Sequence, residues 1–155
     1  WLALSGSATE QQAEPAARMH KILCCNIRVA LDKDEAKGVG WNTRRAWCME
    51  VIHAQRPDII CLQEVLRKQD EDMRHGFPNY FSFGYAGPEM DVRRTGYHFI
   101  SKNVILFATE RYALISVGCY WLSETPHIGG SLSWDSARAR HVSWVHLSCL
   151  SGTCL

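Results

Sequence analysis

An α/β (α+β) domain built on a mixed β-sheet is the fold class this sequence predicts, and three observations predict it. KILCCNIRV (21–29) and PDIICLQEV (57–65) are short apolar runs of strand length. A helix-periodic segment lies between them. Further on, YFSFGYAG, NVILFATERYALISVGCYWLS and ARARHVSWVHL are aromatic or β-branched runs separated by Gly, Pro and polar turns, the texture of extended strands and hairpins.

In chain order, residues 5–18 are small and polar with one Pro and read as a linker. The fold begins at Lys21. In KILCCNIRV, Ile22, Cys24 and Asn26 alternate with Leu23, Cys25 and Ile27, with little polarity on either side, which predicts an interior strand. The loop ALDKDEAKGVGW follows, with Asn42 as the expected N-cap of a helix from Thr43 to about Gln55. Cys48, Val51, Ile52 and Gln55 sit at helical spacing, and Pro57 stops the helix. If the two flanking strands are neighbours, a crossover of this length makes them parallel and right-handed. RKQDEDMRHG then predicts a short helix with Leu66 and Met73 toward the core. A parallel start followed by antiparallel strands gives a mixed sheet with helices packed on it.

Composition narrows the function. At 155 residues, 46% hydrophobic and 21% charged, the chain suits one globular domain that buries about two-thirds of its unfolded surface. Lys plus Arg number 17 against 16 Asp plus Glu, so no overall basic field draws it to nucleic acid or an anionic membrane, and any phosphate recognition is local. Nucleic acid as a partner stays open but is not indicated by charge. No apolar run approaches the ~18 residues of a membrane span. Of seven cysteines, Cys24, Cys25, Cys48 and Cys61 lie in apolar runs and read as free core thiols; Cys149 and Cys154 lack zinc spacing. There is no G-x-S-x-G elbow and no G-x-x-x-x-G-K-[ST] loop. Gly129 and Gly130 read as a turn. Trp121 and Trp144 read as core aromatics, with stacking on a base or sugar as the alternative.

Two parallel strands place Asn26 and Glu64 at one sheet edge, where open α/β sheets hold ligands. A carboxylate ending an apolar strand needs a cation or hydrogen bonds, and Mg²⁺ suits these oxygen donors because it is often held by one or two carboxylates, waters and substrate phosphate. Taken singly, Asn26 also reads as a buried amide satisfied by backbone and Glu64 as a cap or ion-pair residue. Asn103 is either a cleft residue or a strand-start hydrogen bonder, and Arg140 either a phosphate partner or a surface arginine. His141 and His146, five apart in one strand, fall on opposite faces and do not share a metal.

The combination is more specific than its parts. Lys21 to Val29 with Asn26, the helix start WNTRRAW, PDIICLQEV, GCYWLSETP and WDSARAR, within about residues 20–147, closely resemble the N-terminal half of the endonuclease/exonuclease/phosphatase superfamily of DNase I-like metallohydrolases. The resemblance implies half of a four-layer αββα sandwich. It also implies hydrolysis of a phosphodiester or phosphomonoester by activated water with Mg²⁺ or Mn²⁺. Glu64 resembles the family's metal-binding glutamate and Asn26 its first-strand asparagine beside metal and phosphate, so both are expected at the catalytic and metal site. Asn103 and Arg140 are the expected substrate-binding residues, Arg140 aligning with an arginine common at that strand.

The sequence also departs from the family. The Asn-Thr-His strand end, the Asp-x-Asn segment and the terminal Asp-His pair are absent, and SCLSGTCL (148–155) stands as an atypical tail after Leu147. The expectation is a truncated phosphoesterase inactive by itself, or a non-catalytic fragment or binding module. Residues 1–19 read as a linker or the end of a leader. A leader ending within residues 1–13 implies secretion or a periplasmic location, and a plain extension implies the cytoplasm.

Overall fold

The computed structural model describes residues 19–85 and 101–150. The leader or linker segment up to residue 18, the last residues of the YFSFGYAG run and residues 151–155 lie outside the described residues. The elements run β1 (Ile22–Asn26), α1 (Asp32–Glu35), α2 (Trp41–Gln55), β2 (Ile59–Val65), α3 (Arg67–Gly76), β3 (Tyr80–Phe83), β4 (Lys102–Ala108), β5 (Tyr112–Trp121) and β6 (His141–Cys149). The expected α/β class with a mixed sheet holds. β1 and β2 pair in parallel, β4 is antiparallel to β2 and to β3, and the order is β1-β2-β4-β3. β5 and β6 form a separate two-stranded antiparallel sheet.

Alternation along the strands divides the core in two. On one face Ile60, Leu62, Val104 and Leu106 meet Trp41 and Ile52 of α2 and Met73 and Phe77, while Leu23 and Cys25 pack at the margin. On the other face Ile59 and Phe107 meet Tyr112 and Leu147 of the second sheet, with Cys61, Ile105 and Val145 beside them. Each such side chain taken fully from water contributes about 1.5–3 kcal/mol. Helices, a four-stranded sheet and a two-stranded sheet therefore stack as three layers.

Several local expectations change. Among the described residues β1 is an edge strand, with Ile22 57% exposed, because apolar content reports what a strand can bury and not how many neighbours it has. Cys24 is exposed and Cys25, Cys48 and Cys61 are half-buried, so the core-thiol reading fails for the first and is partial for the rest. α2 begins at Trp41 behind Gly40, and Asn42 is not its N-cap. The carboxylate of Glu35 accepts the Asn42 N–H (3.0 Å), lying so close to Gly40 that any Cβ there would collide with it. Asn42 Oδ1 instead accepts from Lys68 Nζ at 2.8 Å. α1 arises within the stretch expected to be loop.

The chain turns after β4, yet β5 pairs with β6 and not with β4, so the chain changes sheets there. Arg111, paired with Asp58, anchors the crossing, and Thr109 N–H reaches Asn79 O at 3.1 Å. β6 continues through Ser148 and Cys149, opposite Ala113 and Tyr112, into the segment expected to be tail. Trp121 is buried, whereas Trp144 is 40% exposed and lies across Gly118, where a Cβ would strike its ring. Met73 is buried as expected, while Leu66 precedes the helix and is half-buried.

Candidate active site

The parallel register sets Asn26 opposite Gln63, so both strands end on the same edge. There β2 bulges. Leu62 faces Val104 and Val65 faces Lys102, which leaves Gln63 and Glu64 across from Asn103 alone. Glu64 sits in the left-handed region at φ 62°, a conformation that costs a non-glycine residue on the order of 1–3 kcal/mol and concentrates at functional sites.

Its carboxylate is met by dipoles. Val29 N–H donates to Glu64 Oε2 at 3.0 Å, and the Asn26 side-chain amide also hydrogen-bonds the carboxylate. The Val29 bond first, then Asn26, hold Glu64 below the usual carboxylate range despite partial burial, with the charges of Arg28 and Arg140 adding from farther off. Glu64 takes part in no ion pair among the described residues. Asn26 uses its Oδ1 to accept Arg28 N–H at 2.8 Å, closing a turn that presents Val29 to Glu64.

The loop carrying Val29 is held from behind by residues that nothing in the sequence marks out. Gln69, fully buried, accepts the N–H groups of Ala30 (3.0 Å) and Leu66 (3.1 Å) and donates to Arg28 O (2.9 Å). Arg44 reaches from α2 to the carbonyls of Ile27 and Arg28. The visible signals, a glutamine in a polar helix and an arginine in WNTRRAW, are ordinary surface residues until the fold places them.

On the far side of the bulge, Asn103 Nδ2 donates to His141 O at 2.8 Å, tying β4 to the start of β6. Arg140 precedes that point, its carbonyl accepting Leu122 N–H at 2.8 Å, its side chain exposed and its charge acting on Glu64. His141 is buried beside Trp121, with ring centroids 5.3 Å apart, and burial pushes its imidazole down to about pKa 4. His146 is exposed on the opposite face. Gly130 has φ 73°, in keeping with the expected turn.

The four selected residues thus fall into two contacts. Asn26 and Glu64 touch, Asn103 is joined to His141, and Arg140 links the two groups electrostatically. No cluster of three His, Cys, Asp or Glu placed to hold a metal occurs among the described residues. A cavity of about 420 Å³ lies at the opposite ends of β2 and β4, lined in part by Arg56, Asp58, Tyr80 and Arg111. Its Asp58 is already satisfied by Arg111 and by Lys21 N–H at 2.6 Å. Size alone does not make it the chemical centre.

Residues 25–144 match the profile described as the Endonuclease/Exonuclease/phosphatase family. A crystal structure of a family protein from Bacteroides thetaiotaomicron is 30% identical, with a TM-score of 0.74 over 84% of this chain and 46% of that one. The mannosyl-6-phosphatase of the same organism is 28% identical, with a TM-score of 0.73 over 86% of this chain and 47% of that one. An uncharacterized protein of Acanthamoeba polyphaga mimivirus is 27% identical over 124 residues, 74% of this chain and 18% of the viral protein. The chain spans less than half the length of each. Among the described residues no helix is long and apolar enough to cross a membrane.

Proposed function

The chain belongs to the endonuclease/exonuclease/phosphatase family, and from that premise we propose that it is the N-terminal half of a divalent-metal-dependent phosphoesterase. One observation carries the reading. Glu64 is kept ionised by a backbone N–H and an asparagine amide, with no protein cation closing on it among the described residues. A carboxylate so prepared at a sheet edge suits a hard external cation.

The donor chemistry fits Mg²⁺ or Mn²⁺, with Glu64 as the ligand. Asn26 turns its amide toward Glu64 and spends Oδ1 on Arg28 N–H, which makes it a positioning group for ligand and phosphate. When bound, the ion supplies charge neutralisation on the phosphoryl oxygens and lowers the pKa of the attacking water.

The chain's own residues do the rest of what this half contributes. Val29 N–H and Asn26 orient the carboxylate, and the bulge fixes its direction before substrate arrives. Arg140 offers a guanidinium to phosphate oxygens in the geometry that pairs with them best. Asn103 acts behind it, holding the strand start from which Arg140 projects. The groups that activate water lie, in this reading, outside these 155 residues, so the chain alone hydrolyses negligibly. A phosphate ester is the substrate class, and the mannosyl-6-phosphatase neighbour makes a phosphorylated sugar one candidate within it.

The test uses the 155-residue chain with Mg²⁺ and p-nitrophenyl phosphate. Amide NMR shifts centred on Val29, Glu64 and Arg140, with no turnover above the metal-only blank, are expected. Shifts confined to other surfaces would overturn the site. Robust turnover abolished by Glu64→Ala would overturn the claim that a second half is required. No shift at all would favour a non-catalytic module.

A further inference from the structure

Two thiols lie side by side on the strands that carry Asn26 and Glu64. Cys24 of β1 and Cys61 of β2 are paired residues in the parallel register, so their side chains leave the sheet on one face. Neighbouring strands are about 4.8 Å apart, inside the roughly 4.4–6.8 Å span between Cα atoms that a disulfide bridges. The Cys24 thiol is near enough to add to the rise of the Cys61 pKa. Cys24 is exposed on the edge strand, and Cys61 is half-buried behind it.

We propose that Cys24 and Cys61 form a two-thiol modification site that reacts with small-molecule disulfides and closes into a bridge between β1 and β2. The roles divide by exposure. Burial pushes the Cys61 thiol up to about 11, which leaves it a poor first nucleophile, whereas Cys24 is exposed on β1, which lies at the sheet edge among the described residues. The Cys24 thiolate attacks one sulfur of a disulfide RSSR, forming Cys24–S–S–R and releasing RS⁻. Cys61 then loses its proton to solvent and attacks the Cys24 sulfur, which expels the second RS⁻. Two protein thiols and one RSSR become one protein disulfide and two RSH, so atoms and electrons balance.

Another thiol pair provides an internal contrast. Cys25 faces the helices and influences Cys48 of α2, but both are half-buried and Cys48 is likewise pushed up by burial, so neither offers an exposed attacking sulfur. The Cys24–Cys61 pair also stands two residues before Asn26 and three before Glu64, so its oxidation joins the two strands just beneath their functional ends.

The experiment treats the folded 155-residue chain with oxidised glutathione and maps its peptides by mass spectrometry. The wild type should lose the mass of two hydrogens, with peptide 22–28 linked to the peptide holding Cys61. The same link should survive in the Cys25→Ser/Cys48→Ser double variant. Cys61→Ser should stop at a stable glutathione adduct on Cys24, and Cys24→Ser should react at least tenfold more slowly. Phenylarsine oxide, which needs two adjacent thiols and involves no oxidation, should bind the wild type and neither single variant. Either of two results in the wild type overturns the proposal, independently of whether a variant folds: a link through Cys25 or Cys48, or a glutathione adduct that never closes into the bridge.

Discussion

Two carboxylates near the end of β2 are both held below their ordinary pKa, and the protein treats them in opposite ways. Asp70 is buried and answered by cations: Lys102 Nζ lies 3.0 Å from Oδ2, Arg74 closes on the same group, and Ser82 Oγ adds a bond at 3.4 Å. Burial alone would raise its pKa, and Arg74 and Lys102 reverse that. Among the described residues Glu64 is answered first by dipoles, with Arg28 and Arg140 acting only from farther off, on a left-handed backbone at a bulge. The difference separates a finished ion pair, whose work is to join α3 to β4, from a carboxylate that, in the function proposed above, keeps its charge for an external cation.

Breaking the finished side should have the largest effect. Asp70→Ala strands the buried Lys102 ammonium, and urea unfolding should register a loss of about 3–5 kcal/mol. A loss under about 1 kcal/mol would mean that the pair is not closed as described. Next comes the brace behind the open side. Gln69→Ala leaves two N–H groups and a carbonyl without their partner, for an expected loss of about 2–3 kcal/mol and faster hydrogen exchange at Ala30.

His141 sharpens the contrast through pH. Its imidazole stays neutral in the fold down to about 4, whereas in the unfolded chain it takes a proton below about 6.5. Stability should therefore fall as pH drops from about 6.5 to about 4, by roughly 2–3 kcal/mol, and this group adds no further slope below that. The His141→Asn variant should lack that component of the slope; an identical profile in both proteins would show that the ring is protonated in the fold. The smallest effect belongs to Glu64→Gln, which keeps the side-chain shape at an edge with no ion pair among the described residues and should change stability by no more than about 1 kcal/mol at pH 7.

How much of this could be read beforehand follows from what sequence encodes. Apolar runs and periodicity place β1, α2 and β2, and the crossover length dictates their parallel pairing, so Asn26 and Glu64 meet where expected. The bulge was hidden, because a left-handed Glu leaves no mark of the kind that Gly or Asn leaves. Gln69 and Arg44 were hidden for a different reason: their backbone partners lie many residues away, and nothing local separates a buried brace from a solvated surface residue. The change of sheet between β4 and β5 was equally silent, since a turn signal fixes where the chain reverses and not which strand it then joins. Asn103 shows the same limit, its partner His141 lying 38 residues on.

The open carboxylate is the claim on which the rest depends, and Mn²⁺ titration followed by electron paramagnetic resonance tests it most directly. The account predicts saturable Mn²⁺ binding to the 155-residue chain that weakens at least tenfold in Glu64→Gln while the fold stays intact. Equal Mn²⁺ binding by the two proteins, or none by either, would contradict it.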